Sequence, residues 1–93
     1  MKIKDFKDKC VGVQEYWKNR MPMMTMEEAG ELIQAISKFE REPDIKRLYE
    51  LADEIGDMYI SLKSLEYYYI DKYDKNISYM VEKRIEEKLN KEY

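Results

Sequence analysis

Apolar residues recur at steps of three and four along almost the whole chain, and only three glycines and two prolines interrupt it. That pattern predicts amphipathic helices joined by short connections. Phe6, Cys10, Val13 and Trp17 mark a first helix from about Ile3 to Asn19, with Pro22 ending or following it. Thr25 reads as the N-cap of a second helix reaching Arg41, whose apolar stripe is Met26, Ala29, Ile33 and Ile36 with Leu32 and Phe39. After a turn at Pro43 and Asp44, a third helix from Ile45 to Ile70 carries Leu48, Leu51, Ile55, Met58, Leu62, Leu65 and Tyr69. The run Tyr67-Tyr68-Tyr69 marks a place where packing surfaces meet. A break over Asp71 to Asn76 precedes a last helix bearing Ile77, Met80, Val81, Ile85 and Leu89. Short connections place sequential helices antiparallel, so the expected fold is an all-α, antiparallel four-helix bundle forming a single domain over residues 1–93.

Ninety-three residues bury only a modest core, so a homo-oligomer, dimer or tetramer, is expected. Nine tyrosines add amphipathic contact area that suits such assembly. Charged residues at 40% and apolar ones at 44% describe helices with densely charged outer faces rather than a disordered segment. A net charge of -3 argues against a general grip on a nucleic acid polymer. No apolar run reaches membrane-spanning length and none follows Met1-Lys2, which predicts a soluble, cytoplasmic protein with no membrane partner.

Chemistry must rest on carboxylates. Cys10 is the single cysteine, which excludes an internal disulfide and cysteine-based structural zinc. There is no histidine, so the usual imidazole base, the Ser-His and Cys-His pairs and the commonest zinc ligand are all missing.

Two acidic clusters stand out, Glu27-Glu28-Ala29-Gly30-Glu31 and Glu54-Ile55-Gly56-Asp57. On a helix, Glu28 and Glu31 share one face at the edge of the apolar stripe, and Glu54 and Asp57 repeat the arrangement, with Glu50 before them and Ser61 one turn beyond. If the two helices pack together, these four carboxylates converge. An all-oxygen set selects a hard cation, Mg²⁺ or Mn²⁺. The structural alternatives are ordinary ones: Thr25-Met26-Glu27-Glu28 also fits a capping box, and Glu50 fits an ion pair with Lys46 or Lys63. Gly30 and Gly56 lie inside helices, where glycine costs about 1 kcal/mol against alanine, and the expected reason is close approach of the two helices.

At these residues the chain resembles the MazG-like, all-α nucleoside triphosphate pyrophosphohydrolases, whose signature is EExxE, a spacer, then ExxD. The resemblance covers Glu27 to Lys38 (EEAGELIQAISK) and Glu54 through Leu65. A second frame, Glu50-x-x-Asp53, exists; Glu54-x-x-Asp57 is preferred because the apolar run Met58-Tyr59-Ile60 follows it, as in the family. The resemblance implies Mg²⁺ held by Glu28, Glu31, Glu54 and Asp57, with Glu27 orienting or deprotonating water. It also implies hydrolysis of a nucleoside triphosphate to monophosphate and pyrophosphate. Family members add basic and amide side chains from the last helix to grip phosphate, for which the chain offers Lys75, Asn76, Lys83, Arg84, Lys88 and Asn90. Arg84, on the apolar side of its helix, reads equally as a phosphate ligand or a snorkelling surface arginine. Base contacts from the first helix make Gln14 and Trp17 candidates, although Trp17 also closes the apolar stripe of its helix. Two other classes remain: a non-catalytic helical interaction module with a structural cation site, and a di-iron carboxylate bundle, which the lack of histidine disfavours.

Overall fold

The computed structural model describes residues 3–92, and the side chains of residues 5–91. The chain is all-helical, with α1 over Ile3–Trp17, α2 over Met21–Arg41, α3 over Ile45–Lys72 and α4 over Ile77–Glu92. A 3₁₀ turn, Lys18–Arg20, joins α1 to α2. No helix among the described residues is long and apolar enough to cross a membrane. Met1, Lys2 and Tyr93 lie outside the described residues.

The largest departure from expectation is the start of α2, four residues before Thr25. Lys18 takes φ 51, a left-handed conformation that reverses the chain after α1. The helix then restarts with Pro22 in its first turn, where a missing N–H costs nothing because that donor has no partner within the helix. Thr25 is therefore an interior residue and not an N-cap: its buried hydroxyl donates to the Met21 carbonyl at 2.9 Å. The capping-box reading of Glu28 falls with it. At the far end of α2, Asp44 caps α3 as an acceptor from the Arg47 amide at 2.8 Å. Only three residues separate α2 and α3, which pack along most of their length as an antiparallel pair.

Small and polar side chains let α1 lie close on α3. The Cys10 thiol points at the Ile60 carbonyl at 3.8 Å, and the same carbonyl accepts from the fully buried Ser64 hydroxyl at 2.7 Å. Farther along, the buried Gln14 amide donates to Asp71 at 2.9 Å, so α1 and α3 run in the same direction. Cys10, Met21 and Tyr68 form the buried apolar core. α4 packs mainly on α3, and Ser78 anchors it there by donating to Glu66 at 2.6 Å. Lys63, expected as a partner for Glu50, instead pairs with this same Glu66 at 3.2 Å.

Much of the expected core is bare. On α2, Met26, Ile33 and Ile36 are exposed, Ile33 to 66%. Leu48, Ile55 and Leu62 on α3 and Met80, Val81, Ile85 and Leu89 on α4 are exposed as well. Between α3 and α4 runs an apolar groove of about 550 Å³, lined by Phe6, Leu62, Leu65, Tyr69, Val81 and Ile85 among others. The surface of 7498 Å² exceeds by about 1,700 Å² that of a compact monomer of this size. The radius of gyration, 15.2 Å, likewise exceeds the ~12 Å of a compact domain of this length. The helical stripes were read correctly as apolar, but one copy of the chain covers only part of them.

Gly30 and Gly56 also differ from expectation. A Cβ built at Gly30 or Gly56 meets nothing within 4 Å, so neither glycine admits a neighbouring helix within the chain. Both lie on the sides of their helices turned away from the α2–α3 seam.

Candidate metal centre

The antiparallel α2–α3 pair brings the two acidic clusters together. Carboxylate oxygens of Glu28, Glu54 and Asp57 all lie within 4.8 Å of one another. Glu31, one turn farther along α2, is exposed and stands outside this group of three, but its charge is the strongest of the neighbouring charges acting on Glu28 and on Glu54. Of the two possible frames on α3, it is thus Glu54 and Asp57 that face α2. Glu50 and Asp53 stand outside the converging oxygens, and within the site Glu28 and Glu54 are half-buried while Asp57 is exposed.

The electrostatics of this cluster are those of a site lacking a counter-charge. Burial raises the Glu28 carboxyl above its ordinary range, and the charges of Glu31, Asp57, Glu54 and Glu27 raise it further. Glu54 is raised for the same reasons, burial first, then Glu31 and Asp57. Glu28 Oε2 and Glu54 Oε2 are buried and have no hydrogen-bond partner. Two carboxylates can hydrogen-bond each other only through a shared proton, so the cluster is relieved either by protonation or by a cation. Carboxylate oxygens from two helices are the donor type that hard cations such as Mg²⁺ or Mn²⁺ take.

The other candidates are distributed unevenly. Glu27 is exposed and stands outside the converging oxygens, next to Glu28. Trp17 is half-buried, edge-on to Tyr16, with the Arg20 guanidinium 5.0 Å from its ring centre. It borders a cleft of about 190 Å³ whose other walls are Met21, Met24, Ile60 and Ser61, together with Glu28 and Asp57. The cleft therefore opens directly onto the acidic cluster. Gln14 does not reach it: its amide is committed to Asp71, and it lines a separate hollow with Lys18, Asn19, Tyr68 and Lys72.

On α4, Lys83 lies 5.9 Å from the Tyr79 ring centre in a shallow hollow with Glu82, Glu86 and Glu87, and Arg84 is exposed rather than set against an apolar side. Lys88 is half-buried. None of these three borders the cleft beside Glu28 and Asp57. The sequence pattern placed Ser61 one turn beyond the acids but did not single out Met21 or Met24 as walls of this cleft. Their signal was present, because both stand on the steps of three and four that lead to Glu28.

No family model, curated protein or solved structure matches the chain.

Proposed function

We propose that the protein is a Mg²⁺-dependent hydrolase that cleaves a nucleoside triphosphate, ordinary, deoxy or non-standard, to the monophosphate and pyrophosphate, in the manner of the MazG-like family it resembles. The observation that carries this reading is the meeting of Glu28, Glu54 and Asp57 oxygens within 4.8 Å, with Glu31 beside them and two buried oxygens unpartnered. A divalent cation, with Mn²⁺ as a substitute, supplies charge neutralisation of the triphosphate and polarisation of the phosphoryl group under attack. Glu28, Glu54 and Asp57, with Glu31 one turn away, would hold that charge, the packed hairpin keeping them in register. Glu27, on the solvent side of Glu28, is the group available to orient water and accept its proton. Trp17 and its neighbours offer an apolar cleft of suitable character for a base beside the polyphosphate site.

The functional form on this reading is a cytoplasmic homodimer or homotetramer in which α4 and its counterparts complete antiparallel helical bundles. The support is the uncovered area: about 1,700 Å² of excess surface per chain is of the order that obligate homodimers bury. The apolar groove between α3 and α4 is the natural place for a second copy to seat helices.

The test is a panel of nucleoside triphosphates incubated with the protein and Mg²⁺, with pyrophosphate measured as product. Release from at least one of them, lost on chelation, is expected; silence across ordinary, deoxy and modified nucleotides would leave a non-catalytic helical module as the better reading.

A further inference from the structure

The seam that carries the acids continues past them and changes sign. On α2, Met21, Met24, Glu28, Glu31, Ala35 and Lys38 follow one another at steps of three and four, hence along one face. Across from them on α3 the same steps give Ser61, Asp57, Glu54, Glu50 and Arg47. Lys38 and Arg47 each stand seven residues, about 10 Å along a helix, from Glu31 and Glu54 respectively. There they line a hollow of about 260 Å³ with Arg41 and Glu42, next to the connection between the two helices. Along the helix pair three zones therefore follow in order: the cleft at Trp17 and Met21, the acids in the middle, and a separate hollow of cations at the hairpin end.

Of the three cations Lys38 is the uncommitted one, while Arg47 and Arg41 each spend part of their guanidinium on local partners. Arg47 donates to Glu42 at 2.8 Å and lies 3.9 Å from Asp44, yet its Nε is buried with no hydrogen-bond partner. Arg41 donates through Nε to the Ser37 carbonyl at 3.3 Å. The Lys38 ammonium has neither an ion pair nor a hydrogen bond among the described residues. Lysine and arginine in the last turn of α2 would also complement the helix dipole. That role asks nothing of Arg47, which sits at the start of α3, where a cation opposes the dipole.

We propose that Lys38, Arg41 and Arg47 form a terminal-phosphate subsite, orienting the substrate along the helix pair with its nucleoside toward Trp17 and its last phosphate toward the hairpin end. This rests on the nucleotide reading above and deepens it. A triphosphate anchored at the acids through its cation, together with an extended lysine side chain, spans the 10 Å step. The arrangement selects triphosphates over monophosphates, because only a long polyphosphate reaches both zones, and it draws the positive charge for the phosphates from the same hairpin that holds the acids rather than from α4.

The test uses full-length protein and inorganic tripolyphosphate with Mg²⁺, its affinity measured by calorimetry, alongside KM for whichever nucleoside triphosphate is turned over. Lys38 and Arg41 are exposed, so the double variant Lys38→Gln/Arg41→Gln leaves the packing of the hairpin unaltered. Tripolyphosphate affinity is expected to fall at least fivefold in the double variant, KM to rise by a similar factor with kcat within about twofold, and Lys38→Arg with Arg41 intact to behave like wild type. No wild-type binding of tripolyphosphate, or a loss smaller than fivefold, overturns the subsite. Turnover by the wild type with tripolyphosphate affinity unchanged in the double variant removes the subsite alone. Absence of turnover of any nucleoside triphosphate removes the hydrolase reading, and the calorimetry still reports on the subsite.

Discussion

Glu28 on α2 and Asp57 on α3 face each other across the helical hairpin with carboxylate oxygens no more than 4.8 Å apart. Like charges at that separation, one of them raised toward its protonated form by burial, are an unfavourable arrangement for a protein to maintain without a ligand. The packing of α2 on α3 holds them there, and on the proposed reading a dication would convert the repulsion into attraction.

Cation binding should therefore appear as stability. At a hundredfold excess over Kd, a ligand specific for the folded state contributes about 2.7 kcal/mol, which for a chain of this size is a Tm rise on the order of 10 °C. Thermal denaturation with Mg²⁺ or Mn²⁺ should show such a rise in the wild type and little or none in Glu31→Ala or Asp57→Ala. The same two variants should lose pyrophosphate release while keeping wild-type helicity by circular dichroism.

The acidic pair also sets a pH dependence of definite sign. Glu28 and Glu54 hold their protons more tightly folded than unfolded, so the folded state binds more protons in the window between the ordinary glutamate value and their raised values. Their contribution to stability is present below that window and is lost as pH rises through it. Metal-free Glu54→Gln should thus melt a few degrees higher than wild type at pH 7, with the difference shrinking toward acid pH. Because the cation competes with those protons, Mg²⁺ affinity of the wild type should rise over the same window. Equal melting of Glu54→Gln and wild type at pH 7 would show that Glu54 carries no such strain.

Gly56 gives a separate test of the hairpin. A methyl group there meets nothing within 4 Å, and an interior helical glycine costs about 1 kcal/mol relative to alanine. Gly56→Ala should stabilise the protein by roughly that amount in a denaturant titration and leave Mg²⁺ affinity within about twofold.

The bare apolar faces predict association. Sedimentation at micromolar concentration should find a dimer or tetramer, and Ile85→Glu, placing a charge in the groove between α3 and α4, should shift it to smaller species. Ile85 is exposed within the chain, so its loss of packing there is small. A monomeric wild type would contradict this part of the account.

The helices were legible because their period is written in the apolar residues: α3 begins at Ile45 as expected and runs two residues past Ile70. The acid cluster was legible for the same reason, since residues three apart on two neighbouring helices must share a seam when those helices pair. The start of α2 was not, because Pro22 serves equally as a helix end and as a first-turn residue, and only the left-handed Lys18 decides between them. Gly30 and Gly56 misled because a helical glycine need not mark a close approach, and both face open space in the chain. Which apolar residues are buried was also hidden: Ile33 and Leu48 carry the pattern of a core, yet both are exposed in the chain. Gln14 and Trp17 looked alike by position on α1, but the partner of Gln14, Asp71, lies far away in sequence and draws it from the cleft.

The most direct measurement is diffraction from crystals grown with Mn²⁺ and a non-hydrolysable nucleoside triphosphate analogue, recorded so that manganese scatters anomalously. A manganese peak is expected between α2 and α3 with Glu28, Glu31, Glu54 and Asp57 oxygens around it and the analogue's phosphates on its open side. Saturating Mn²⁺ with no peak there, or with these four side chains turned into solvent in every copy, would contradict the metal-centre reading.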